Sequence, residues 1–202
     1  MNYQQNKQIP DLSKIHTYSK KRTKHLIERS ITRRHHRIEK FLMEAATADA
    51  TPNFALTIVW HALQTAGDRR DGHILGMPPA KRQEHLMRKI RTLAKQLGFS
   101  AVYVWVTSVG AKMGDHMHMA LYWRSSAFLN LVNLMQQILG SDVDHEVQIN
   151  SQNSARSCCK GWEVKEITGG LSGALRWGNY MAYQKSKHQD TSSGRRLGFS
   201  SI

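Results

Sequence analysis

Two apolar runs, "AVYVWVTSV" (101–109) and "DHMHMALYW" (115–123), are separated only by "GAKMG" (110–114). Their valines and aromatic residues favour strands. A connection this short, bounded by glycines, joins only antiparallel neighbours. The chain is thereby committed to a hairpin, and each strand of it to two faces. Side chains alternate along a strand, so His116, His118, Ala120 and Tyr122 share one side, while Met117, Met119, Leu121 and Trp123 share the other. The second side is an ordinary core face. The first sets two imidazoles side by side on a rigid floor.

The segments around the hairpin complete an α+β pattern. Residues 1–24 are polar and basic without a sustained period and read as a flexible arm. A helical pattern runs from His25 to about Ala48, interrupted by "TRRHHR"; adjacent His35 and His36 point apart on a helix and are set aside as ligands. "NFALTIVW" (53–60) follows Pro52 and reads as a strand, "GDRRDGHILGMPP" (67–79) as a loop. "AKRQEHLMRKIRTLAKQLG" (80–98) is an amphipathic helix with Leu86, Ile90, Leu93 and Leu97 on one face and Gly98 as its stop. "SSAFLNLVNLMQQILG" (125–140) reads as a serine-capped helix ending at glycine. "HEVQIN" and "WEVKEIT" are short strands around a polar loop, and "LSGALRWGNYMAYQKSK" (171–187) is a last helix. The fold class expected is α+β: a central antiparallel sheet carrying the His-x-His strand, packed by helices, with a late helix behind it. The organisation expected is an arm (1–24), one domain (25–190) and a basic tail (191–202).

Charge narrows the partners. The chain has 202 residues and a net charge of +14, and residues 1–40 alone carry 11 Lys/Arg against three acids. Such a balance points to a polyanion, nucleic acid first and a membrane surface second. No run approaches the roughly 18 apolar residues of a membrane span, and the first residues lack the apolar core of a secretion signal. Cys158 and Cys159 are adjacent and cannot frame the fold by disulfides. A soluble, cytoplasmic protein without a membrane partner is expected.

Two neutral imidazoles bind a divalent metal, but a stable site needs further ligands. The last helix offers them. Leu171, Ala174, Leu175, Gly178, Met181 and Ala182 form its apolar face, and Arg176, Tyr180, Tyr183, Gln184 and Lys187 cluster on the other. Packed on the histidine face, this helix would bring a phenol, an amide oxygen and a cation towards a metal. His61, near a strand end, reads as structural, and Met117 and Met119 as core.

"HMHM" resembles the His-hydrophobe-His motif of the HUH endonucleases, a superfamily of rolling-circle replication initiators, conjugative relaxases and single-tyrosine transposases. "FALT" (54–57) resembles the upstream strand motif of the initiators, and "NYMAYQKSK" carries Tyr180 where the family places a catalytic tyrosine. The three elements occur in the family's order over residues 54–187. The resemblance implies a Mg²⁺ or Mn²⁺ ion on His116 and His118, with Tyr180 as nucleophile and Tyr183 as a possible second one. It implies a site-specific endonuclease that nicks one DNA strand, single-stranded or supercoiled, and keeps the 5′ phosphate on tyrosine. Two positions depart from the initiators. Ser108 stands where many carry an acid, and Tyr183 where a lysine follows the tyrosine, leaving Lys185 and Lys187 as the nearest cations. Tyr180 and Gln184 have the Tyr-x-x-x-Gln spacing of the transposase branch, in which the glutamine is a metal ligand; Asp115 and Glu146 are the other oxygen donors.

Three functions follow as expectations. The first is initiation of rolling-circle replication of a plasmid or phage. With no G-x-x-x-x-G-K-[ST] motif in the sequence, unwinding would fall to a host helicase. The second is transposition by the same chemistry, with a relaxase ranking behind both. The third is a non-catalytic basic protein that binds nucleic acid and whose histidines are structural.

Overall fold

The computed structural model describes residues 31–60, 63, 74, 77–110, 114–140, 146–149, 155–159, 161–183 and 197–202. The arm expected over 1–24, the loop at 67–73, His61, Gln184, Lys185 and Lys187 lie outside them. The protein is α+β. Residues 31–47 are helical (α1), followed by β1 (Phe54–Val59), α2 (Pro79–Gln96), β2 (Val102–Gly110) and β3 (Gly114–Tyr122). Then come a 3₁₀ turn (Ser125–Ala127), α3 (Phe128–Leu139), β4 (Glu146–Ile149), β5 (Ala155–Cys159), β6 (Trp162–Glu166), α4 (Gly170–Tyr183) and β7 (Leu197–Phe199).

The strands form one sheet in the order β4-β5-β6-β1-β3-β2-β7, and every described pairing is antiparallel. The histidine strand β3 is central, hydrogen-bonded to β1 on one side and to β2 on the other. Asn53 ties the end of that pairing: its amide donates to the Trp123 carbonyl and accepts from the Trp123 N–H, each at 2.9 Å.

The alternation read from the sequence sorts the two helical layers. Met117, Met119 and Leu121, with Leu56, Ile58, Tyr103 and Trp105, pack against Leu86 and Ile90 of α2 and Leu131 and Met135 of α3. On the opposite face, Val102, Val104, Val106 and Ala120 meet Ile38 and Leu42 of α1 and Ala174, Met181 and Ala182 of α4. The small side chains of Ala55 and Ala120, register partners, leave room for a helix to lie close to the sheet. Two glycines let α4 settle there. A Cβ on Gly178 would lie 2.8 Å from Leu42 of α1, and one on Gly173 would lie 2.0 Å from the Thr168 carbonyl oxygen.

Three local features differ from the sequence reading. Ser125 opens a 3₁₀ turn instead of capping α3, whose N-cap residue is Ala127 with no side-chain cap. The polar loop between "HEVQIN" and "WEVKEIT" contains β5, paired on both sides. The stretch assigned to a basic tail contains β7, paired with β2. Gly198 faces Trp105 there, and a side chain on it would lie 2.6 Å from the indole. Phe199 then packs on Phe41 of α1 at 5.1 Å between ring centroids.

Candidate active site

The histidine face of β3 lies under α4. His116 and His118 are 4% and 2% exposed, and they are the buried polar side chains among the described residues. Their rings sit 5.0 Å apart at 76°, the spacing that strand geometry imposes on residues i and i+2 of one face. Register places Thr57 of β1 opposite His118. The Thr57 hydroxyl lies 3.1 Å from His118 Nδ1. The other ring nitrogen, Nε2, is buried and has no hydrogen-bond partner. A buried polar atom without a partner costs on the order of 1–3 kcal/mol, so this nitrogen is available to accept one.

Electrostatics keep this ring neutral. Burial pushes the His118 pKa down to about 4, and the neighbouring His116 and Lys165 charges act in the same direction. In the neutral tautomer with its proton on Nδ1, that N–H donates to Thr57 and Nε2 presents a bare lone pair, the form that binds metals.

Helix α4 supplies the second half of the site. Tyr180 sets its ring 5.2 Å from that of His118, at 76°. Trp177, one turn earlier, stacks on Tyr180 at 4.9 Å with the planes at 25°. The Trp177 indole N–H donates to the Met119 carbonyl at 3.0 Å, which pins α4 to the histidine strand. Its ring also meets His118 at 5.8 Å. Tyr180 is thus held between a stacked indole and an imidazole edge while remaining 47% exposed. Such a side chain is positioned yet reachable.

A cation reaches the same group from the sheet. Lys165 of β6 pairs in register with Ala55, itself opposite Ala120 of β3. Its ammonium lies 5.0 Å from the centre of the Trp177 ring, an arrangement that favours the cation.

Of the residues singled out from the sequence, His116, His118 and Tyr180 come together. Tyr183 does not join them: it is 57% exposed and its ring faces His35 of α1 at 5.8 Å. His35 also hydrogen-bonds the Asn179 side chain, so it ties α1 to α4. Gln184 and Lys187 fall outside the described residues. Asp115 and Glu146 are on β3 and β4 by backbone. Among the described residues, no group of three or more His, Cys, Asp or Glu is placed to hold a metal. Trp177, Lys165 and the role of Thr57 were not found from the sequence. The one available signal was the i, i+3 spacing of Trp177 and Tyr180.

Comparison of the chain with protein-family models, curated proteins and solved structures returned no match. Among the described residues no helix is long and apolar enough to cross a membrane.

Proposed function

We propose that the protein is a metal-dependent, site-specific single-strand DNA endonuclease and strand transferase with Tyr180 as its nucleophile. The observation that carries this reading is the partnerless, buried Nε2 of His118 beside the half-exposed phenol of Tyr180. His116 and His118 are the residues that would hold a Mg²⁺ or Mn²⁺ ion, with Gln184 as the oxygen donor implied by its spacing from Tyr180. Such an ion, when bound, neutralises phosphate charge and lowers the barrier to attack by an anion.

The chain's own residues define the rest. Trp177 holds the phenol ring by stacking, so little orientational freedom is lost when a strand docks. Tyr180 Oη, having given its proton to solvent, attacks the scissile phosphorus. The bond from phosphorus to the 3′ oxygen breaks, that oxygen takes up a proton, and the 5′ phosphate remains on tyrosine as a diester. The phosphodiester bond energy is kept, so attack by a 3′ hydroxyl reverses the step without ATP. Lys165 sets a positive charge over the Trp177 ring that stacks on the phenol, and so adds to the positive field of the site. The half-exposed aromatic pair also offers a surface for base stacking. The strand motif around Thr57 favours replication initiation of a plasmid or phage over transposition, with a helicase as the expected partner.

The test is incubation with a mixed single-stranded DNA library and Mn²⁺, followed by denaturing electrophoresis and sequencing of trapped ends. An SDS-stable protein–DNA adduct that EDTA prevents is expected. Tight binding with no adduct under either metal would support instead a non-catalytic nucleic-acid-binding protein that uses the Trp177–Tyr180 stack for bases alone.

A further inference from the structure

The side of the sheet opposite the histidines carries a second charged surface. Helix α2 contains six Lys/Arg and one acid, Glu84. Its apolar stripe, with Leu86, Ile90 and Ala94 fully buried, is spent on the sheet. What remains outward is basic. Lys81, Arg88 and Lys95 are seven residues apart and exposed, so they form one line with steps of about 10 Å. Lys89 is exposed beside it. Glu84 is taken by Lys81 at 3.1 Å, and among the described residues Arg88, Lys89 and Lys95 have no acidic partner. At the end of α2, Arg124 donates to the Gly98 carbonyl at 3.1 Å and lies over the Phe99 ring, extending the line by one cation. His85, within this group, has its pKa lowered by burial first and then by Arg88 and Lys89, as expected where positive charge is not cancelled.

We infer that the outer face of α2 is a binding surface for the phosphate backbone of duplex DNA, separate from the site on the other face of the sheet. The choice of occupant follows from chemistry. Surfaces for single strands combine cations with aromatic platforms, whereas α2 has no Phe, Tyr or Trp and the ring of Phe99 at its end is engaged by Trp123 and Arg124; Trp177, Tyr180 and Tyr183 are all on α4. A helix about 27 Å long with cations every seven residues suits a regular line of phosphates. An anionic membrane is a poorer match, because the apolar stripe that would enter it is already buried. The inference rests on the DNA reading above for the identity of the polyanion, but not on cleavage.

The test is the salt dependence of binding to a fluorescent duplex of about 30 base pairs and to a single strand of the same length. In Arg88→Gln/Lys89→Gln/Lys95→Gln, the slope of log affinity against log salt for the duplex should fall by about 2.7, since each phosphate contact contributes ~0.9. Duplex affinity at low salt should drop at least tenfold, with single-strand affinity and the melting temperature unchanged. If the triple variant melts early, Lys89→Gln and Lys95→Gln should each lower the slope by ~0.9. An unchanged duplex slope would overturn the inference, as would an equal loss for both DNAs or wild-type protein that does not bind duplex. The adduct assay is independent: absence of cleavage with an intact duplex effect would sink the nuclease reading alone.

Discussion

The ring of Tyr180 meets the ring of His118 at 5.2 Å and 76°, whereas Tyr183, one turn further along α4, faces His35 at 5.8 Å. The two tyrosines of the motif are thus directed to different neighbours, one to the histidine floor and one to α1. Tyr180→Phe keeps the stack on Trp177 and removes only the hydroxyl. It should abolish the covalent DNA adduct, while Tyr183→Phe should leave the first nick intact. Mass spectrometry of the tryptic adduct decides the matter, and a phosphodiester mapped to Tyr183 would reverse the assignment.

Thr57 should set metal affinity without touching the metal. Its hydroxyl, 3.1 Å from His118 Nδ1, holds the ring's orientation and can accept a hydrogen bond from Nδ1–H, the tautomer that leaves a lone pair on Nε2. Thr57→Val preserves shape and deletes that partner, and partners of this kind are worth roughly 10–100-fold in affinity. Calorimetric titration with Mn²⁺ should show weakening in that range, with recovery in Thr57→Ser. Equal affinity in Thr57→Val and wild type would remove Thr57 from the site.

Much of this arrangement was legible in the sequence, and the part that was not has a physical reason. The hairpin and the two faces of β3 follow from period-2 alternation, and α2 from a clean period of 3.6. The two histidines and Tyr180, which the fold brings together, could be singled out because they lie in local motifs. β5 escaped because "ARSCC" has no apolar alternation; pairing with both neighbours makes it a strand. β7 escaped because it is three residues long with Gly198 at its centre, where the Trp105 indole fills the space. Lys165 and Thr57 belong to the site through cross-strand register, which depends on strand order. No local pattern encodes that order.

Acid should weaken the fold through His118. The native ring resists protonation until about pH 4, whereas the unfolded ring takes a proton near its ordinary pKa of 6.5. Below pH 6.5 the unfolded chain therefore holds a proton that the native chain lacks. This contribution is complete above pH 6.5 and drains away as the pH falls towards 4, by about 3 kcal/mol in all. Urea unfolding at pH 7.5, 6.0 and 4.5 should show a smaller loss in His118→Gln than in wild type. Parallel losses would mean that other groups govern acid sensitivity.

The two glycines that seat α4 should differ in tolerance. At Gly178 an added Cβ meets the ends of Leu42 and Ile38 side chains at 2.8 and 3.0 Å. Alanine gains about 1 kcal/mol of helix propensity there against roughly 1–3 kcal/mol of overpacking, a net loss near ~1 kcal/mol. At Gly173 the Cβ would lie 2.0 Å from a backbone carbonyl, which cannot rotate away. Gly173→Ala should cost more, and it should displace Tyr180 enough to slow adduct formation even where the protein stays folded. Denaturant midpoints and adduct rates for both variants test this; a milder effect at Gly173 than at Gly178 would contradict the packing described.

The strand carrying the histidines pairs with β1 before it and β2 beside it, yet the tyrosine that completes the group is 62 positions later than His118, on α4. During synthesis the hairpin leaves the ribosome well before that helix does. A growing chain can therefore assemble its histidine floor while it has no phenol to place over it. Under the proposed reaction, reactivity towards DNA would arrive only with the docking of α4, so that a partly made chain would be harmless to the strand it is proposed to cut.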